Sequence, residues 1–242
     1  MSTELDPPAV ALAIGAHPDD IEFGCGATLA KWATAGAQVH LLILTDGSKG
    51  TWDAADDLAT LVALRRSEAR EAADVIGGGV VHFGDFVDGE LESGVREREL
   101  VCRVIREVRP SVVLGHDPWK RYRLHPDHRH AGWATVDGVV AARDPHFFPG
   151  VGGGRHRPDA LLLFEAEEPD QLERVDDSFA TKVEALLAHR SQWHSTMGIV
   201  AGSPDEAAQR AAFASRLEHE ARSVGWRGGG GLGEAFHRVD EL

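Results

Sequence analysis

Short apolar runs alternate with longer helical stretches from residue 9 to residue 164, and this alternation constrains the fold more than any other feature of the chain. The first run, Ala9-Val10-Ala11-Leu12-Ala13-Ile14-Gly15, has no helical period and is followed closely by Pro18. Runs of this length, bounded by Gly and Pro, read as strands buried on both faces, the kind found in parallel sheets. Residues 38–44, 80–83, 111–115 and 160–164 repeat the pattern. Between them, residues 26–35 read as a helix ended by Gly36, 58–76 as one ended by Gly77-Gly78-Gly79, and 96–108 as one stopped by Pro110. A further helix is expected to run through Val140. Strand–helix alternation predicts βαβ units with right-handed crossovers, hence an α/β fold with a mostly parallel sheet and helices on both faces. We expect a single catalytic domain over residues 1–242, in which residues from about 165 onward form a less regular C-terminal extension that caps the site.

With 242 residues, 43% hydrophobic and 26% charged, the chain can bury one sizeable core. No apolar stretch approaches the roughly 20 residues that span a bilayer. The start, Met1-Ser2-Thr3-Glu4-Leu5-Asp6-Pro7-Pro8, is acidic and lacks the basic region of a signal peptide, so a cytoplasmic protein without a membrane partner is expected. A formal net charge of −14 argues against nucleic acid as the main partner. Arg121-Tyr122-Arg123 and Arg155-His156-Arg157 are local basic clusters within that acidic background, and read first as solvated faces. The two cysteines suggest no disulfide framework. Cys102 reads as a small core residue, and Cys25, between Gly24 and Gly26, as a small residue beside tight backbone.

In an open α/β sheet the ligand site lies beyond the carboxyl ends of the strands. There the chain places Ala16-His17-Pro18-Asp19-Asp20 directly after the first strand, and His125-Pro126-Asp127-His128 one loop after the fourth. Catalytic zinc commonly takes three His and carboxylate ligands and leaves a position for water, whose pKa it lowers to about 7. His17 and Asp20, three apart in a tight turn, with one histidine of the second motif, supply such a set. Asp19 and Asp20 are adjacent, so their side chains diverge: one can bind metal while the other accepts a proton from water. Of His125 and His128, one can ligate while the other stabilises an oxyanion, with Asp127 orienting that imidazole. Two Asp-rich turns that merely cap helices are the bland alternative. The presence of both motifs favours the metal site.

These residues resemble the LmbE-like, or PIG-L, zinc-dependent N-acetylglucosaminyl de-N-acetylases. The resemblance rests on the Ala16–Asp20 motif with Glu22 and Gly24-Cys25-Gly26-Ala27, and on Thr45-Asp46-Gly47. It extends through Arg65-x-x-Glu68-Ala69, His125-Pro126-Asp127-His128, His189-x-x-Gln192 and Glu234-Ala235-Phe236, almost end to end. It implies a Rossmann-like fold, with His17, Asp20 and His128 as ligands to Zn(2+), or to another divalent metal such as Fe(2+). It further implies Asp19 as general base, His125 as electrophile or general acid, and Asp127 as the group that tunes it. Arg65 and Asp88 match positions that hold the sugar in relatives, and a homo-oligomer is compatible with the family. The implied reaction is hydrolysis of an N-acetyl or related N-acyl group on an amino sugar or small glycoconjugate, or of an amide on a thiol-sugar conjugate. Trp52, Trp119 and Tyr122 are the aromatic side chains available to stack on a sugar ring. Two other classes compete. His17, Asp20 and His128 also form the two-His, one-carboxylate set of a non-haem iron oxygenase. Gly24-Cys25-Gly26 suggests a nucleotide-binding loop without catalysis, although Leu29 stands where a third glycine belongs.

Overall fold

In the computed structural model, which describes residues 4–242, the first apolar run forms β1 (Val10–Gly15), buried from Ala11 onward. Met1–Thr3 of the acidic N-terminal stretch lie outside the described residues. Two parallel neighbours flank β1: β2 (Gln38–Thr45) sets Leu41 opposite Ala13, and β4 (Val112–His116) sets Leu114 opposite it on the other side. β3 (Val80–Phe86) pairs parallel with β2, and β5 (Ala160–Phe164) with β4. Covered on both faces, the central strands have no polar side to alternate with, which is why they read as continuous apolar runs.

α1 (Asp20–Thr34), α2 (Leu58–Ile76) and α5 (Phe179–Ala188) cover one face, around Ile21, Leu29, Trp32, Ala73 and Ala185. α3 (Val95–Val108) and α4 (Pro126–Arg143) cover the other, around Val101, Ile105, Ala134 and Val139. Among the described residues the sheet has seven strands, and its order reverses between β1 and β4: β3-β2-β1-β4-β5, then β7 (Gly233–Val239) and β6 (Gln171–Arg174). No helix of the described residues is long and apolar enough to cross a membrane.

The C-terminal segment is more regular than the sequence suggested. It carries β6, α5, a 3₁₀ turn (Arg190–Gln192) that runs into a π turn (Trp193–Met197), α6 (Glu206–Trp226) and β7. β7 pairs antiparallel with β5, Leu163 opposite His237, and with β6, so the segment adds two strands to the main sheet, while its Gln192, Ser195 and Thr196 reach the cavity beyond β1. Its signals are weak for a physical reason. β7 is a mixed strand containing Glu234, His237 and Arg238, and α6 buries just a thin stripe including Phe213, Leu217 and Ala221.

α1 also begins earlier than the glycines suggested, at Asp20, and is interrupted at Cys25 (φ −151°, ψ 17°). A Cβ on Gly24 would lie 2.5 Å from the Phe164 ring, so glycine there lets the helix rest on the end of β5. The break frees the first amides of the second helical half. Those of Ala27 and Thr28 donate to the Glu234 carboxylate at 3.2 and 2.8 Å, joined by the Thr28 hydroxyl at 2.6 Å. Lys182 of α5 pairs with Glu234 at 2.6 Å and donates to the Phe23 carbonyl at 2.7 Å. Gly24-Cys25-Gly26 is thus a packed kink with a carboxylate cap, not a nucleotide loop. Both cysteines are free and buried, and burial pushes both thiols up.

Glu234→Ala leaves Lys182 buried without its partner and two amides uncapped. It is expected to remove about 3–5 kcal/mol of stability, seen as a lower urea midpoint at unchanged slope, with Lys182→Met in the same background restoring part of the loss. An unchanged midpoint would show that this cap contributes nothing to folding.

Candidate metal centre at the β1–β4 crevice

β1 ends on Gly15 because the chain folds back at once: a Cβ there would sit 2.9 Å from the Ile21 side chain and 3.1 Å from that of Asp20. Asp19 completes the turn with φ 108°, a backbone region that costs a non-glycine residue about 1–3 kcal/mol. The His17 amide donates to Asp20 Oδ2 at 2.7 Å, and the Phe23 amide to the Asp19 carbonyl at 3.0 Å. The buried Arg65 of α2 braces the turn from outside, donating Nη2 to the Pro18 carbonyl and Nη1 to the Gly47 carbonyl, both at 2.7 Å. The turn thereby directs His17 and Asp20 together and leaves Asp19 apart, 3.8 Å from Arg65.

The second motif enters from the β4 side. Pro126 opens α4 with His125 as the preceding cap residue, which places Asp127 and His128 in the first turn. His17 Nδ1 and His128 Nε2 then lie 3.2 Å apart, and each lies 3.2 Å from an Asp20 oxygen. Donor atoms about 3.3 Å apart are what a tetrahedral ion with bonds of about 2.0 Å requires. The opposite edge of the His17 ring is held by carboxylates: Nε2 is 3.1 Å from Asp88 Oδ1 and 3.2 Å from Asp127 Oδ2. Asp127 also accepts the Gly89 amide at 2.7 Å, and Asp88 the Lys49 amide at 2.9 Å. A hydrogen on Nε2 is therefore well accepted, which turns the Nδ1 lone pair toward Asp20 and His128, the usual support of a metal-ligating imidazole.

The charges agree with a cation site. Burial opposes charge on His17, yet Asp20, Asp127 and Asp88 together raise its pKa well above 6.5. Burial would likewise raise Asp20, but His128, His116 and His17 hold it well below the usual carboxylate range. Asp19 behaves differently: burial, helped by Asp20 and opposed by Arg65, pushes it up to about 6. Burial and the neighbouring His17 and His128 rings lower His125. Two nitrogens and a carboxylate oxygen converging among buried acids fit a borderline divalent cation such as zinc, and equally ferrous iron.

A cavity of about 540 Å³ opens over these groups, lined by His17, Asp19, Asp20, His125 and His128 among others. Arg65 and Asp88 also reach it, and Trp52 stands at its mouth, 83% exposed. Trp119 and Tyr122 do not line it. Trp119 packs edge-on against Trp133 at 4.9 Å, and Tyr122 is turned outward, 91% exposed. Asp127, expected behind His125, instead contacts His17. Asp88, expected at the sugar, spends its carboxylate on His17 and Lys49.

Sequence reasoning missed Glu165. It follows β5 directly, so the rule that sites lie at strand carboxyl ends points to it. Its Oε2 lies 3.4 Å from His116 Nδ1, while His116 Nε2 lies 3.3 Å from Asp20 Oδ2, forming a relay behind the Asp20 carboxylate. Arg123 pairs with Glu165 and touches His128 Nδ1. Burial would raise Glu165, but His116 and Arg123 bring it down to about 2. On the α2 side, Gln192 donates to the Gly50 carbonyl at 3.1 Å and lines the same cavity.

Residues 12–139 match the family model of PIG-L, GlcNAc-PI de-N-acetylase. The chain is 36% identical over 185 residues to the diacetylchitobiose deacetylase of Thermococcus kodakarensis, covering 75% of this chain and 69% of that protein. It is 32% identical over 230 residues to the 1D-myo-inositol 2-acetamido-2-deoxy-alpha-D-glucopyranoside deacetylase of Geodermatophilus obscurus, covering 76% and 77%. Among solved structures, the N,N'-diacetylchitobiose deacetylase of Pyrococcus horikoshii superposes with a TM-score of 0.84 at 27% identity, over 96% of this chain and 84% of that one.

Asp19→Gly relieves the backbone strain and removes a buried carboxyl group. In chelator-treated protein it is expected to raise stability by about 1 kcal/mol, after the added flexibility of the unfolded glycine is subtracted. A urea midpoint below that of the wild type would show that the turn is unstrained.

Proposed function

Because this chain belongs to the PIG-L family of de-N-acetylases, we propose that it is a metal-dependent hydrolase that removes an N-acetyl group from an amino sugar or small glycoconjugate. The observation that carries this reading is the convergence of His17, Asp20 and His128 at 3.2 Å spacings, with the separate carboxylate of Asp19 lining the same cavity. His17, Asp20 and His128 would hold the ion, which we take to be zinc, since His17 Nδ1, His128 Nε2 and the Asp20 carboxylate converge. When bound, that ion supplies Lewis-acid polarisation of the acyl carbonyl and lowers the pKa of the attacking water to about 7.

The chain's own groups do the rest. Asp19 accepts a proton from the attacking water as its oxygen bonds to the carbonyl carbon. It returns that proton to the amide nitrogen as the C–N bond breaks, so the products are acetate and a free amine. His125, at the cavity wall, donates a hydrogen bond to the carbonyl oxygen as negative charge builds there. Asp127 and Asp88 fix the tautomer and orientation of His17. Arg65 holds the Pro18 carbonyl, and through it the direction of the Asp19 side chain. Trp52, exposed at the mouth, offers its indole face to the sugar ring.

The substrate class follows from the relatives' names, both of which specify acetylated glucosamine units, and from a cavity wide enough for a sugar ring. Asp19→Asn is expected to lower kcat by about 10²–10⁴-fold while bound metal stays stoichiometric. His128→Ala is expected to lose the metal itself. Trp52→Ala raises KM with little change in kcat, whereas Trp119→Ala changes neither. An Asp19→Asn enzyme with full metal and near-normal turnover would remove Asp19 from its role.

A further inference from the structure

A second cavity, of about 740 Å³, lies at the opposite edge of the sheet, beside the amino ends of β4 and β5. Arg109 ends the helix before β4, Arg143 is the last residue of α4, and Arg155 and Arg157 flank His156 just before β5. With His146, these residues surround a depression that carries one carboxylate, Asp144. In a chain of net charge −14 this concentration of positive charge runs against the overall balance. Acids elsewhere on the chain neutralise arginines such as Arg121, Arg174 and Arg238. Here the guanidinium groups of Arg143, Arg155 and Arg157 have no ion pair or hydrogen bond among the described residues. Arg109 makes two long contacts, at 3.4 and 3.5 Å, to the carbonyls of Gly154 and Arg155. Asp144 accepts the His146 amide at 2.8 Å.

The rim is held in place. Buried Arg106 spends its whole guanidinium on the backbone behind the cavity, donating to the carbonyls of Ala141, Ala142, Asp144, Phe147, Phe148 and Val151. His156 is fixed by its amide on the Ala142 carbonyl and its ring on the Pro110 carbonyl at 2.7 Å. Arg143 and His156 therefore stand on an ordered frame, with Arg109, Arg155 and Arg157 around it. Like charges gathered in this way repel one another unless an anion lies between them. Planar guanidinium groups match the paired oxygens of phosphate better than any other side chain does.

We propose that this cavity is a binding site for a small anion carrying two or more phosphate groups. A single phosphate occupies a small part of the volume, whereas a diphosphate can engage several of Arg109, Arg143, Arg155 and Arg157 at once. The site is separate from the catalytic crevice, and the proposal does not rest on the reaction assigned there.

Inorganic pyrophosphate, titrated calorimetrically into the full-length protein at low ionic strength, tests it. Saturable binding that weakens with added salt is expected. Arg155→Gln/Arg157→Gln, two exposed changes far from the crevice, should weaken it by about tenfold or more, with the unfolding midpoint and turnover unchanged. Comparing wild type with this variant isolates the basic cavity from any pyrophosphate captured by a metal at the other end. A nucleoside diphosphate bound as tightly as pyrophosphate shows that phosphates alone are read, and one bound more tightly shows that the cavity also holds the organic part. No binding at about 10 mM pyrophosphate, or equal binding by the variant, would overturn the proposal. So would a concentration-dependent dimer that the double variant abolishes, because the cavity would then be taken by the acidic surface of a second copy.

Discussion

The pairing of β1 with β4 is the constraint on which the rest of this structure depends. These strands are hydrogen-bonded neighbours at the point where the sheet order reverses, so no crossover helix covers the gap beyond their carboxyl ends. Their register, Leu12 opposite Val113 and Ala13 opposite Leu114, sets where the following residues stand. It brings together His17 and His128, 111 positions apart in the chain. A slip by one residue would move one motif by about 3.3 Å against the other, as much as the spacing between the donor atoms. It would also turn every buried side chain of β4 to the wrong face. The apolar packing on both faces of the sheet is therefore what gives the polar site its accuracy.

Charge divides the work within that site. Adjacent carboxylates in similar burial acquire opposite tendencies, because Asp20 faces three imidazoles while Asp19 is turned away toward a single arginine at longer range. The divergence comes from the turn, which the Gly15 approach, the Pro18 carbonyl and the left-handed backbone of Asp19 impose together. Behind the donors a further layer of polar contacts keeps each group from drifting. Asp88 and Asp127 fix His17, and Glu165 acts on Asp20 through His116. Cap and kink repeat this logic away from the crevice, where Glu234 satisfies the amides that the Cys25 break leaves open.

Much of this was legible in the sequence, and the residues show why. β1, β2, β4 and β5 are buried on both sides or nearly so, and continuous apolar runs betray such strands; β3, half-buried at the sheet edge, shows as the shorter run 80–83. The two motifs stand out because histidines and aspartates are unexpected at the ends of such strands. β6 and β7 carry no apolar run because polar residues, Gln171, Glu173 and Glu234, occupy buried positions in them. The first turns of α1 were missed because Gly24 and Gly26 mark helix ends more often than a packed kink. Glu165 and Arg123 reach the site from loops, where spacing carries no periodic signal. Trp119 and Tyr122 were overvalued because aromatic identity does not give side-chain direction, and one packs on Trp133 while the other faces solvent.

The central claim is that two distant motifs assemble one metal centre for amide hydrolysis. Acetate released from N-acetylglucosamine and its glycosides, measured on protein of quantified metal content, tests it most directly. The account predicts release that stops with a chelator and returns when zinc is restored to about one ion per chain. Zinc-loaded protein that releases no acetate from any of these compounds, or release that a chelator leaves untouched, would contradict it.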